Sequence, residues 1–338
     1  MATAYRIARL TAAYGLAVAI VSAGAAAQST LTPDQLAHRP GRPNLDGAPI
    51  ALIPVQGNVY LISTGAGGNI AAQIDNEGVI LVDAGPADAT NAVLAQLKTL
   101  TKLPIRAIID TTTDLDHIGG NDSLARTGTP LYQGAPGSSP QALVFAHEKA
   151  LLRISAPTGR TSAVPPALWP TDTFAGAKEK LYFNHEPIEM QWAPGHTDGD
   201  AIVWFRRSDV IVTGDAFTTT SYPRFDRARG GTIQGVLDVL NHVIDLAVVE
   251  FNGQGGTRIV PGHGRICNQA DVVEYRDMAT IVRDRVRDMM KAGRTIDQIK
   301  AAHVTLDYDG VYATPAYTGE MFVEAIYRDL NASAPPAK

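Results

Sequence analysis

A mostly apolar run near residue 110 ends in a cluster of acidic residues and one histidine. The run covers residues 105–109, and Asp114, Asp116 and His117 follow it closely. Carboxylates and an imidazole at this spacing are typical of a metal site rather than of a protein core. The sequence therefore predicts a buried strand that leads into a metal-binding loop. An ion held there would activate a water molecule for hydrolysis, and Asp114 or Asp116 would orient that water or accept its proton.

Three later loops place further ligand types at the ends of apolar runs. His196 lies in the sequence PGHTDGD, Asp215 in VTGDA and His263 in PGHG. A single histidine at the end of a strand is usually structural, but three such loops together with the first cluster indicate one shared site. We expect the ends of these strands to meet, because α/β folds place their chemistry where strands end.

The rest of the chain predicts the elements that would position these loops. Four short apolar runs separated by turn residues indicate an antiparallel meander; they cover residues 51–55, 58–63, 69–74 and 79–82. Further strands are predicted at residues 128–132, 180–183, 188–192, 201–205, 210–213 and 258–260. Helices are predicted at residues 89–100, 141–154, 272–291 and 318–330, with one more beginning near Thr232. Two halves, each a sheet with helices outside, would fit this order.

The N-terminus predicts export. Arg6 and Arg9 precede an apolar run and three alanines that end at Ala27, which is typical of a signal peptide cleaved there; an uncleaved anchor is the alternative. We therefore expect a periplasmic or secreted protein without membrane attachment. Cleavage changes the formal net charge from -5 to -7, because 27 basic residues then face 34 acidic ones. This acidity argues against a nucleic-acid partner. We expect a small-molecule substrate, and the sequence does not indicate an oligomeric state.

Three residues beside the loops each admit two interpretations. Asp83 follows a predicted strand and is either a turn residue or an acid that orients a metal ligand. His147, on a predicted helix, is either exposed or a further imidazole that reaches the metal site as a ligand. Cys267, the single cysteine, excludes an intramolecular disulfide and is either packed in the interior or a reactive or ligating thiol.

Taken together, the loops resemble the five motifs of the metallo-β-lactamase superfamily over about residues 50–265. The resemblance implies an α/β fold, a four-layered αββα sandwich with extra C-terminal helices. Together with the segments predicted from the residues themselves, this gives a signal peptide at residues 1–27, an extended lead-in at residues 28–49, a metallo-β-lactamase-like domain at residues 50–270 and a helical extension at residues 271–331 packed on the same domain. The residues that match the motifs are Asp83, Asp116, His117, His196, Asp215 and His263.

The second motif departs from the family pattern. The family has H-x-H-x-D-H, whereas this chain has T-x-D-x-D-H, with Thr112 and Asp114 in place of the first two histidines. The resemblance implies two metal sites. The complete site comprises Asp116, His117, Asp215 and His263. The altered site comprises Asp114, His196 and the shared Asp215. We expect one tightly bound Zn²⁺ at the complete site and a weak altered site, with manganese or iron as other possible ions.

The resemblance implies a metal-dependent hydrolase, which the predicted signal peptide would export, but it leaves the substrate open. Its members cleave lactams, lactones, thioesters, phosphodiesters and sulfate esters, so the fold alone does not choose among them. The altered motif argues against lactamase activity, and the single-iron dioxygenases of the family use the histidine pair that is absent here. The alternative is a binding protein of this fold with weak or no catalysis. By analogy, residues 218–222 and Arg224 line the substrate cleft, where Tyr222 would donate to an oxyanion.

Overall fold

Two β-sheets lie face to face in this computed structural model, which describes residues 49–65, 67–132, 140–155, 164–251 and 254–333. All of them belong to one compact unit. The predicted signal peptide and nearly all of the predicted lead-in lie outside the described residues. The first sheet contains, in spatial order, β1 Ala51–Gln56, β2 Val59–Ser63, β3 Ile70–Asp75, β4 Gly78–Val82, β5 Ile105–Ile109, β6 Leu143–His147 and β7 Asp172–Phe174. The second contains β12 Arg258–Val260, β11 Val210–Val212, β10 Ala201–Phe205, β9 Glu186–Trp192 and β8 Lys178–Phe183.

The pairing of the strands brings the predicted loops to shared edges. β1 to β4 form the predicted antiparallel meander, while β4 to β7 are parallel to one another. In the second sheet β8 to β11 are antiparallel, and β11 is parallel to β12. Parallel neighbours end at the same edge of a sheet. The loops after β4 and β5 therefore lie side by side, as do the loops after β11 and β12.

Helices cover the outer face of each sheet. They are α1 Thr90–Leu100, α2 Leu115–Ile118, α3 Asn121–Thr127, α4 Glu148–Ile154, α5 Ile233–Leu246, α6 Gln269–Lys291, α7 Ile296–Ala301, α8 Leu306–Tyr312 and α9 Gly319–Ser333. None of the helices in these described ranges is long and apolar enough to cross a membrane. One buried cluster fills the space between the sheets, and two others lie under the helices on either side. The predicted four-layered αββα sandwich with C-terminal helices is confirmed.

Burial on both faces explains why the central strands are continuous apolar runs in the sequence. In β4, Ile80 and Val82 pack between the sheets, whereas Val79 and Leu81 pack under the helices. A strand covered on both faces is a continuous apolar run rather than an alternating one. Helix α5 begins at a polar cap, where Thr232 Oγ1 accepts a hydrogen bond from the Gly235 amide.

Two predicted elements were wrong. Residues 128–132 do not form a strand, because the chain turns at Gly128, where any side chain would meet the Ile105 carbonyl. Residues 141–154 are not one helix: the first part is strand β6, which pairs with β5 and β7, and only Glu148–Ile154 is helical. The apolar residues of β6 fit a helical period as well as a buried strand, and the pairing with two neighbours decides between them.

Candidate metal centre

The four residues of the complete site converge where β5, β11 and β12 end. His117 is fully buried, and its Nε2 lies 3.1 Å from Asp215 Oδ1. His263 Nε2 lies 3.4 Å from the same oxygen and 3.3 Å from Asp116 Oδ2. Two imidazole nitrogens and two carboxylates therefore face one another across a few ångströms.

Asp83 fixes the orientation of His117. It follows β4 with a φ of 65°, and its Oδ2 accepts hydrogen bonds from His117 Nδ1 at 2.9 Å and from Thr111 Oγ1 at 2.7 Å. Its Oδ1 accepts a further bond from the Thr111 amide at 2.8 Å. Because Nδ1 is engaged with Asp83, Nε2 is the nitrogen that His117 presents to the site. Of the two interpretations of Asp83, the geometry supports the orienting acid.

The altered site lies on the other side of Asp215. His196 Nε2 is 2.9 Å from Asp114 Oδ2 and 3.9 Å from Asp215 Oδ2. The Nδ1 of His196 donates to the Arg224 carbonyl at 3.1 Å, which leaves Nε2 for the site. Asp215 thus directs Oδ1 to the complete site and Oδ2 to the altered site.

The guanidinium of Arg229, which the sequence analysis did not place at the site, forms an ion pair with one oxygen of Asp114. Arg229 Nη1 lies 2.5 Å from Asp114 Oδ1, and its Nε lies 2.8 Å from Asp226 Oδ2. Burial raises the pKa of Asp114, but the hydrogen bonds from His196 and Arg229 outweigh it and hold this pKa at about 2. Arg229 belongs to the arginine-rich sequence PRFDRARGG, and this composition is the signal from which a cation near the site could have been inferred.

The electrostatics of the cluster fit a bound cation. Burial lowers the pKa of His263, yet hydrogen bonds to Asp116 and Asp215 raise it overall to about 9, and His196 reaches about 9 for the same kind of reason beside Asp114. Without an ion, the positive charge of protonated imidazoles balances the negative charge of the carboxylates. A bound metal ion would replace those protons. The ligand atoms of Asp116, His117 and His263 lie within 4.8 Å of one another, as do those of Asp114, His196 and Asp215. Nitrogen and carboxylate ligands at this spacing suit a zinc-like ion.

The residues that precede the ligands are buried behind the site. Thr112 is 1% exposed, and its hydroxyl has no hydrogen-bond partner within the described part of the chain. Asp110 Oδ2 accepts a hydrogen bond from Asn121 at 2.9 Å, while burial, with a contribution from Asp83, raises its pKa well above the usual range. Thr112 therefore fills the position of the first family histidine without offering a ligand to the cavity.

An open cavity of about 470 Å³ adjoins both sites, and we call it the metal-site cavity. One part of the lining of the metal-site cavity consists of the ligand residues Asp114, Asp116, His196, Asp215 and His263. The other side is formed by Thr218, Thr220, Ser221, Arg224, Thr314 and Ala316. The expected lining by residues after Asp215 is therefore present, apart from Thr219 and Tyr222.

Three other candidates lie away from the cavity. His147 is buried and stacks on Trp192, with ring centroids 5.3 Å apart, so it is neither exposed nor among the metal-ligand groups. Tyr222 is fully buried and donates to Asp309 Oδ1 at 2.8 Å, so the expected oxyanion donor instead joins the site loop to α8. Cys267 is buried in the core beneath α5 and α6, as the packing interpretation requires.

Comparison with known proteins agrees with this geometry. The sequence model of the Metallo-beta-lactamase superfamily matches residues 52–263. A probable metallo-hydrolase of Streptococcus pyogenes serotype M6 is 24% identical over 214 residues, which are 60% of this chain and 83% of that protein.

Two solved structures share the fold. A stereoselective inverting sec-alkylsulfatase from Pseudomonas sp. has a TM-score of 0.62 at 16% identity, over 90% of this chain and 57% of its own. This chain thus spans little more than half the length of the sulfatase. A metallo-beta-lactamase from Pontibacter korlensis has a TM-score of 0.51 at 15% identity, over 68% of this chain and 99% of its own.

Proposed function

The chain belongs to the metallo-beta-lactamase superfamily, and from this membership we propose that it is an exported metal-dependent hydrolase with one tightly bound ion at the complete site. The observation that carries the proposal is the convergence of His117, His263 and Asp116 on Asp215 Oδ1 beside an open cavity. The substrate would be a small molecule with a hydrolysable ester, lactone, thioester, lactam, phosphoester or sulfate ester bond. Zn²⁺ is the proposed ion, and Mn²⁺ or iron would suit the same ligands less well.

Two features support weak occupancy of the altered site. Thr112 provides no imidazole, and Arg229 shares Asp114 with any ion that would bind there. The Arg229 guanidinium and an ion at the altered site would repel each other. Two like unit charges about 4 Å apart repel by about 4 kcal/mol at an effective dielectric constant of about 20, and the second charge of a divalent ion doubles this energy. The complete site has no such cation among its described contacts.

Hydrolysis would need an ion to activate water and a carboxylate to orient this water and accept its proton. A bound ion would activate a water molecule and polarise the bond to be cleaved. Asp116 is 40% exposed and lines the cavity, so its carboxylate is available to orient the water and accept its proton. Asp114 is a weaker base, because both of its oxygens are engaged and its pKa is about 2.

Metal analysis of protein purified without chelator tests the stoichiometry, and we expect about one ion per chain. Asp215→Ala and His263→Ala should lose most of the metal, because each removes a ligand. Thr112→Ala is the matched control and should keep it. Two tightly held ions in the wild type would contradict the single-ion proposal.

Activity is tested with a panel of chromogenic lactam, lactone, thioester, phosphodiester and sulfate ester substrates in the presence of Zn²⁺, Mn²⁺ or iron. We expect hydrolysis of at least one class that Asp215→Ala abolishes. Absence of turnover with every ion would favour a binding protein of this fold. Export predicts a mature chain that begins at Gln28, which mass spectrometry of protein recovered from the periplasm or medium would check.

A further inference from the structure

A second cavity adjoins the metal-site cavity and has a different charge. It measures about 440 Å³, and we call it the arginine cavity. Its polar lining consists of His196, Arg224, Asp226, Arg227 and Arg328. His196 and Arg224 line both cavities, so the two spaces meet at these residues.

Most charges in the arginine cavity already have partners. Arg227 pairs with Asp329, Arg328 pairs with Glu324, and Asp226 pairs with Arg229. Arg224 differs: in the described part of the chain its guanidinium forms no ion pair or hydrogen bond. Its recorded side-chain contact is with the ring of Tyr317, whose centroid lies 4.7 Å away.

Stacking on an aromatic ring leaves the hydrogen-bond donors of a guanidinium free. The Tyr317 ring is itself held, because its hydroxyl donates to the Pro223 carbonyl at 3.3 Å. A planar guanidinium held at its face presents its edge, which matches the two oxygens of a carboxylate, phosphate or sulfate. Phe225, Tyr317 and Ala325 add an apolar wall beside it.

We propose that Arg224 binds an anionic group of the substrate at the junction of the two cavities, so that the substrate is an amphiphilic acid whose scissile bond lies at the complete site. The substrate part of this inference rests on the proposed hydrolase function, whereas anion binding does not. Tyr317, Ala325 and Arg328 lie beyond residues 52–263, the stretch that matches the family, so the C-terminal part of the chain contributes one wall of this site.

Binding of inorganic sulfate and of acetate, measured by calorimetry at constant ionic strength, tests the anion site directly. We expect Arg224→Gln to weaken binding of these anions by about tenfold or more, because a charge-assisted hydrogen bond is lost. Arg224→Lys should retain part of the affinity. Arg207→Gln removes another exposed arginine, from the turn between β10 and β11, and is the control. Equal weakening by the glutamine variants, or no weakening by Arg224→Gln, would overturn the proposal.

A matched pair of aryl esters tests the substrate class, one with a free terminal carboxylate and one with its neutral methyl ester. The ratio of kcat/KM for the acidic over the neutral ester should fall by about tenfold in Arg224→Gln and stay constant in Arg207→Gln. A constant ratio in both variants would reject the substrate inference. If neither ester nor any panel substrate is hydrolysed, the hydrolase function fails, and sulfate and acetate binding still decides whether Arg224 is an anion site. Melting temperatures of all variants establish that each is folded.

Discussion

The surroundings of Asp114 determine how strongly the altered site can bind an ion. Its carboxylate lies between His196, a potential ligand, and Arg229, a permanent cation. A carboxylate that is shared with a guanidinium has less negative charge to offer an ion. The ligand types were predictable from the sequence because each follows an apolar run, but Arg229 was not, because only folding brings it to a loop far away in the chain.

We expect Arg229→Gln to create a usable second metal site. Removal of the guanidinium frees Asp114 Oδ1 and lifts the repulsion on an ion at the altered site, so the affinity for a second Zn²⁺ should rise about tenfold or more. Metal content after dialysis and calorimetric titration would measure this rise. Arg258→Gln is the control, since Arg258 is 29% exposed, like Arg229, and pairs with Glu250 away from the ligands. An unchanged content of one ion in Arg229→Gln would show that Arg229 does not limit the altered site.

At the scale of the elements, the site depends on which strands are parallel. β4 and β5 end together and place Asp83 beside His117, while β11 and β12 end together and place Asp215 beside His263. The sequence predicted most strands because apolar runs mark them, but beyond the antiparallel meander of β1 to β4 it did not indicate their pairing. The sequence predicts a helix across strand β6 because this strand is covered on both faces. Its residues therefore form a continuous apolar run without the alternation of apolar and polar residues that marks a half-exposed strand.

Asp83 at the end of β4 can be tested by two substitutions. Asp83→Asn should lower the affinity for Zn²⁺ by about 10- to 100-fold, because an amide orients His117 less firmly than a carboxylate. Asparagine tolerates a φ of 65°, whereas Asp83→Ala should also cost about 1–2 kcal/mol of stability. Chelator competition measures the affinity, and denaturant unfolding measures the free energy.

The control for this prediction is Asp209→Asn. Asp209 also has a positive φ, of 52°, and accepts a hydrogen bond from Thr257, but it is not among the ligand groups. Its substitution should leave Zn²⁺ affinity unchanged. If Asp83→Asn binds Zn²⁺ as tightly as the wild type, His117 does not depend on Asp83.

For the whole molecule, the C-terminal helices are part of the core that supports the site. Helices α6 to α9 share a buried cluster with α5 and the second sheet. Tyr275 on α6 donates to the Ser221 carbonyl, and Tyr222 donates to Asp309 on α8. The sequence predicted helices at residues 272–291 and 318–330 from their apolar periodicity. It could not identify the surface on which they pack, because that contact joins segments far apart in the chain.

Phe322 on α9 tests whether these helices and the sandwich unfold together. Its ring is fully buried and stacks on Tyr222, with centroids 4.9 Å apart, so Phe322→Ala should lower the free energy of unfolding by about 3–5 kcal/mol. Met321→Ala changes the neighbouring residue, which is 47% exposed, and should alter it by less than about 0.5 kcal/mol. Circular dichroism at helical wavelengths and tryptophan fluorescence would follow the transition; two of the three tryptophans, Trp192 and Trp204, lie in the second sheet, and the third is Trp169. One coincident transition at a lower denaturant concentration is expected, because the helices and that sheet share a single buried cluster. Separate transitions for the two signals, or equal stability of the two variants, would mean that the C-terminal helices fold independently of the metal-binding sandwich.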